Sequence, residues 1–158
     1  MENRIFTTLM KNDKMMNKEF APYDLALAMK ELGFDESTLF TYYRKKIGYI
    51  KNSIKGGTPP NLPFPQYVPA PTYSQAFRWF REEHGLVKQD YLFFKKNVRN
   101  AFNISKDDGE NLYDSCYNSN DEEIGDGFST YEEAEFACLN KLIEIVNQNK
   151  YDSKKAEI

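Results

Sequence analysis

Thr72-Tyr73-Ser74-Gln75-Ala76-Phe77-Arg78-Trp79-Phe80-Arg81-Glu82-Glu83-His84-Gly85 carries both a helix start and a helix stop. Thr72 and Gln75 have the spacing of a capping box, in which a hydroxyl oxygen accepts from the amide three residues on and the Gln side chain returns to the first amide. Tyr73, Ala76, Phe77 and Phe80 recur at helical spacing with Trp79 flanking the stripe, and Gly85 can take the left-handed stop. A helix over 73–84 follows. Downstream, Tyr91-Leu92-Phe93-Phe94 reads as a strand aromatic enough to be buried on both faces. Val98 to Ile104 and Asn111 to Tyr117 are two further strands, separated by a turn over 106–110. Ser129-Thr130-Tyr131-Glu132 repeats the capping signature and opens a helix from Tyr131 to about Asn149. Ala134, Cys138, Leu142 and Ile145 form its apolar face, widened by Leu139 and Val146. The order is α-β-β-β-α around a small antiparallel sheet.

Working outward toward the N-terminus, Gly56 to Pro71 holds two glycines and six prolines and can be neither helix nor central strand. It reads as an extended crossover pinned by Leu62, Phe64, Tyr67 and Val68. Before it, Leu39 to Tyr43 and Ile47 to Ile50 form a β-hairpin split by Arg44-Lys45-Lys46. Pro22 to Gly33 predicts a helix with Leu25, Ala28, Met29 and Leu32 inside, closed by a Schellman motif through Gly33 and Phe34. The expectation is an α+β fold: a mobile leader over 1–18, one domain over 19–147 and a frayed tail over 148–158. Within the domain, 19–55 is the helix-hairpin half, 56–71 the crossover and 72–147 the α-β-β-β-α half.

The segments Glu19-Phe20-Ala21-Pro22-Tyr23-Asp24-Leu25-Ala26, Lys30 to Glu36, Pro69-Ala70-Pro71, Gln75 to Glu82 and Ser129 to Glu135 carry a resemblance. Through them the chain resembles a family of small uncharacterised proteins of tailed bacteriophages and prophages of gut bacteria. The resemblance implies a phage origin and assigns no activity. In element order alone, residues 70–147 are similar to a double-stranded RNA-binding domain, with Thr130 and Ala134 at the Ser and Ala of that family's last-helix signature. Tyr131 and Glu132 stand where the family has two phosphate-gripping lysines, and a carboxylate there would repel the backbone.

A chain of 158 residues with 41% hydrophobic and 15% aromatic residues is long and apolar enough to bury a core. Only Cys116 and Cys138 occur, so no disulfide framework is implied and a reducing cytoplasm is expected. No apolar run approaches a membrane span. Cys138 falls on the apolar stripe of the last helix, whereas Cys116 lies in a polar strand and reads as the more exposed. A single histidine, His84, excludes every paired-histidine metal motif and sits where a helix C-terminus favours positive charge. The acids around 107–110 and 121–126 lack the alternation of a calcium loop and read as a solvated face. No metal or cofactor is expected.

Charge is uneven: residues 1–106 carry 17 Lys+Arg against 10 Asp+Glu, and residues 107–158 carry 4 against 14. Tyr42, Tyr43 and Tyr49 interleave with Arg44, Lys45, Lys46, Lys51 and Lys55, a pattern that can hold an anionic strand by stacking and phosphate neutralisation, or can equally be a half-buried hairpin with lysines facing water. Trp79 and Phe80 are adjacent, so one of them is expected to face solvent, and Trp79 is the candidate partner anchor. The leading expectation is a non-enzymatic, phage-encoded binding protein acting on a host or phage protein, with counter-defence as one role. The alternative is a nucleic-acid- or nucleotide-binding accessory using residues 40–55. An enzyme of scattered carboxylates, tyrosines and one histidine ranks third, since it would leave no motif to read.

Overall fold

A computed structural model describes residues 6–8, 18–50, 67–94, 96–117, 120 and 122–156. The fold is α+β, and the chain divides into two compact units, Met1–Ala76 and Phe77–Ile158. The division falls inside a helix rather than in the proline-rich segment, most of which lies outside the described residues.

In the first unit, α1 (Tyr23–Leu32) buries Leu25, Ala26, Met29 and Leu32. Ala26 replaces the expected Ala28 because the buried arc is wider than one stripe. Gly33 adopts φ 112°, and the Phe34 amide donates to Met29 O at 2.9 Å, which is the Schellman closure read from the sequence. Four strands, β1 (Phe6–Thr8), β2 (Phe40–Tyr43), β3 (Lys46–Ile50) and β4 (Tyr67–Ala70), form an antiparallel sheet in the order β1-β3-β2-β4. Two corrections follow. Part of the supposedly mobile leader is strand β1, paired with β3. The end of the proline-rich segment is strand β4, tolerated because it lies at a sheet edge, where a residue without an amide hydrogen can point outward. Thr41, buried in β2, donates from its hydroxyl to Val68 O at 2.8 Å. Phe20, Ala26, Tyr42, Val68 and Ala70 make the core of this unit.

The helix over residues 73–84, α2, has the predicted bounds (Tyr73–His84). Its cap is half of a box. The Gln75 amide donates to Thr72 Oγ1 at 3.1 Å, but Gln75 Nε2 turns away to Glu36 Oε2 and Ser37 O, at 3.0 and 2.9 Å. Gly85 ends the helix at φ 63°, and its amide donates to Arg81 O.

In the second unit, β5 (Leu86–Phe94), β6 (Val98–Lys106) and β7 (Asn111–Asp114) form a three-stranded antiparallel sheet in that order, followed by α3 (Tyr131–Ala156). The complete capping box sits one residue later than read. The Glu133 amide donates to Thr130 Oγ1, and Glu133 Oε2 accepts from the amides of Thr130 and Ser129. The helix runs past Asn149 to Ala156, with Gln148 donating to Asp152 and Ser153 to Asn149 O, so residues 151–156 are helical rather than frayed. It buries Ala134, Cys138, Leu139, Leu142, Ile143 and Val146, with Ile143 where Ile145 was expected. Cys116 is fully buried, contrary to its polar sequence context, and packs with Phe93 and Ala101. The acidic segment after it is tied down at its ends, where Cys116 O accepts from Ile124 and Asn100 pairs with Phe128.

Candidate functional site

Three groups of side chains compete for a functional role: the basic turn between β2 and β3, an ion cluster on β5 and α3, and the open end of the β5–β6 hairpin.

At the β2–β3 turn, Arg44 and Lys45 both take positive φ, 49° and 64°, as a two-residue hairpin turn of type I′ requires. Asn-Gly is the usual occupant, because glycine has no Cβ and the short asparagine side chain tolerates the left-handed region, which costs other residues about 1–2 kcal/mol. Arg44 lies over the Tyr43 ring at 5.2 Å, Lys45 lies over the Tyr23 ring at 5.4 Å, and Tyr43 stacks on Tyr67 at 4.9 Å. Arg44, Lys45 and Lys46 are all exposed. Tyr42 does not join them, because its ring is buried in the core and its hydroxyl donates to Ala21 O at 2.8 Å. That burial, with the Tyr73 hydroxyl nearby, pushes the Tyr42 pKa up to about 12. Tyr49 lies in β3, with its side chain outside the described residues, as are Lys51 and Lys55 altogether.

The second group has no counterpart in the sequence reading. Lys88 Nζ bonds Asp90 Oδ2 at 2.7 Å, lies 4.0 Å from Glu135 Oε1, and sits 4.4 Å and 5.0 Å from the Phe77 and Tyr131 ring centres. The Lys88 side chain is only 7% exposed and that of Glu135 12%. Alternation along β5 puts Lys88 and Asp90 on one face, but the partners of Lys88 43 and 47 residues away come from α3, which no local motif announces. Burial works against the Lys88 charge, but the bond to Asp90, its carboxylate charge and the Tyr131 hydroxyl outweigh it and raise the pKa. A lysine that acts as nucleophile or base needs the opposite shift. Burial also raises the Glu135 pKa, with Lys88 opposing. The cluster therefore holds a fixed cation and joins strand to helix.

His84 forms no site with it. Its ring stands edge-on to Trp79 at 4.8 Å, and Nε2 is buried with no hydrogen-bond partner among the described residues. Burial, then repulsion by Lys150, lower its pKa below 6.5 against the pull of Glu83, so a charged helix cap is not what the structure favours. The sign follows: the folded state binds this proton less readily than the unfolded chain. Stability linked to His84 is complete above pH 6.5 and is lost as the pH falls from there through the lowered folded pKa. Thermal melts across that range are expected to show the loss, and His84→Phe to flatten it. The groove of about 360 Å³ that His84 lines also holds Leu86, Val146, Lys150 and Lys154, and among the described residues no carboxylate lines it.

The third group is apolar. Leu92 is 55% exposed, Phe94 72% and Val98 57%. In the β5–β6 register Phe94 faces Val98 and Leu92 faces Asn100, so the three side chains share one face. On that face Leu86, Phe102 and Ile104 are buried, as is most of Lys88 beside α2 and α3, but Leu92, Phe94 and Val98 toward the end of the hairpin lack such cover. The strand is therefore not buried on both faces, as its aromatic composition suggested. Trp79, the expected anchor, is 3% exposed, because both adjacent rings are enclosed.

Among the described residues, no group of His, Cys, Asp and Glu could hold a metal ion, and no helix is long and apolar enough to cross a membrane. Comparison with protein-family models, curated proteins and solved structures finds no match to the chain.

Proposed function

We propose that the chain is a non-enzymatic binding protein that acts by docking on another protein through the open end of its β5–β6 hairpin. The observation that carries this reading is the exposed, contiguous set Leu92, Phe94 and Val98. Exposed apolar side chains placed singly mean little, whereas three gathered on one rigid sheet face are the composition of an interface centre. The buried, unpaired Cys116 and Cys138 fit a reducing compartment, the cytoplasm of a host cell if the phage resemblance holds. A host or phage protein is the partner this reading supplies, with counter-defence as one outcome. Affinity capture from that host should recover a discrete protein that survives nuclease treatment and disappears with Leu92→Glu/Phe94→Glu. Capture unaffected by that double variant would refute the docking assignment.

A second reading, nucleic-acid binding by the β2–β3 turn, is favoured by one observation: two exposed cations occupy strained backbone where Asn-Gly would fit without cost. Replacing Arg44→Asn together with Lys45→Gly should raise stability by about 1–2 kcal/mol. If the strain serves an anionic strand, the same variant loses binding to single-stranded oligonucleotide in fluorescence anisotropy. If the wild-type chain does not bind, or the more stable variant binds equally well, the turn has no such role.

A further inference from the structure

The four outer strands of the two sheets are not alike. β1 has three residues, β4 has four and carries Pro69, and β7 has four. Short strands and prolines are how natural sheets keep their outer edges from pairing with other chains. β5 has nine residues and no proline. It has β6 on one side, and among the described residues nothing bonds its other edge. Its one lysine, Lys88, cannot shield that edge, because its side chain is turned onto Phe77 and Tyr131.

From this edge we infer that β5 pairs antiparallel with β5 of a second copy of the chain, joining two three-stranded sheets into one of six strands. The inference rests on reading the hairpin end as a protein-docking surface, and it names the partner. In a two-fold antiparallel pair, residues opposite each other share a face, and the register fixes which ones meet. With the axis on Phe93, Leu92 of each copy faces Phe94 of the other, and the exposed apolar face becomes continuous across the seam. With the axis on Leu92, Phe94 would face Asp90. With the axis on Tyr91, Phe94 would face Lys88. Of these three, only the Phe93 register gives both Leu92 and Phe94 an apolar side chain opposite. Pairing also satisfies the outward backbone groups of β5, which a docking partner of globular surface would leave to water.

Sedimentation equilibrium of the full chain over a wide concentration range tests this. The expected result is a mass twice 18.5 kDa that returns to 18.5 kDa in Leu92→Glu and in Phe94→Glu, both surface changes whose folding circular dichroism verifies. Register is read separately by mixing Leu92→Cys and Phe94→Cys chains under mild oxidation. The mixed disulfide should form well ahead of either self-disulfide, since like positions lie on the diagonal about 7–8 Å apart, beyond easy bridging. A monomer at every concentration, a dimer untouched by both glutamates, or self-disulfides that form as fast as the mixed one would each overturn the pairing. A monomer whose capture of another protein is still lost in Leu92→Glu/Phe94→Glu would overturn only the identity of the partner and leave the docking surface standing.

Discussion

Phe102→Ala is expected to cost about 3–5 kcal/mol, the range for removing a large aromatic ring from a closed core. Phe102 is among the largest fully buried side chains, stacked on Phe128 at 5.7 Å and tilted against Tyr113 at 5.8 Å. Its backbone bonds, an amide donating to Ser115 Oγ and a carbonyl accepting from the Ser115 amide, survive the change. The loss is therefore one of packing and cavity, and Phe94→Ala on the neighbouring strand is the control. At 72% exposure in the single chain, Phe94 should cost no more than about 0.5 kcal/mol by the same substitution at concentrations low enough to keep the chain monomeric. Urea melts with unchanged slope and a shifted midpoint would report both. Equal costs would mean that burial along β5 and β6 is not as described.

Lys88→Ala should cost about 2–3 kcal/mol, below the usual figure for breaking a buried ion pair because Asp90 is 41% exposed and keeps water. Lys88→Met, which retains volume against the Phe77 and Tyr131 rings, should cost roughly half as much. The remaining penalty lies in Glu135, whose carboxylate loses its nearest cation while staying 12% exposed. A carboxyl whose folded pKa is raised contributes stability below its unfolded value of 4.5 and loses it as pH rises through the folded one. The cost of Lys88→Ala is therefore expected to shrink as the pH is lowered toward 4.5, read from paired denaturation curves at each pH. A penalty independent of pH would place the whole effect in lost packing.

These two residues also show where reading a sequence stops. Phe102 is one apolar residue in a strand candidate, and its burial depends on α3 and Phe128 arriving on the same face from 26 or more positions away. Lys88 looks like any exposed strand lysine until Tyr131 and Glu135 close over it. The hairpin over 40–50 was legible because aromatic and β-branched residues flank a polar turn, but which tyrosine turned inward was not. Tyr42 went to the core and Tyr43 onto Tyr67, a choice made by register against β4.

What the sequence determined by itself is local. Helix starts and stops follow from a hydroxyl three residues before its amide and from glycines free to take positive φ, and those signals placed α1 and α2 within a residue or two and the β6–β7 turn at its acids and Gly109. The second glutamate of Glu132-Glu133 took the cap because helix phase, not residue type, decides which carboxylate reaches back. Tertiary structure alone decided exposure: that Trp79 and Cys116 are enclosed, that Leu92, Phe94 and Val98 are open, and that among the described residues no strand lies on the outer edge of β5. Hydrogen-bond and dihedral preferences act over a few residues, whereas burial is a sum over surfaces brought together from the whole chain. A stripe of side chains is core or interface according to what lies against it.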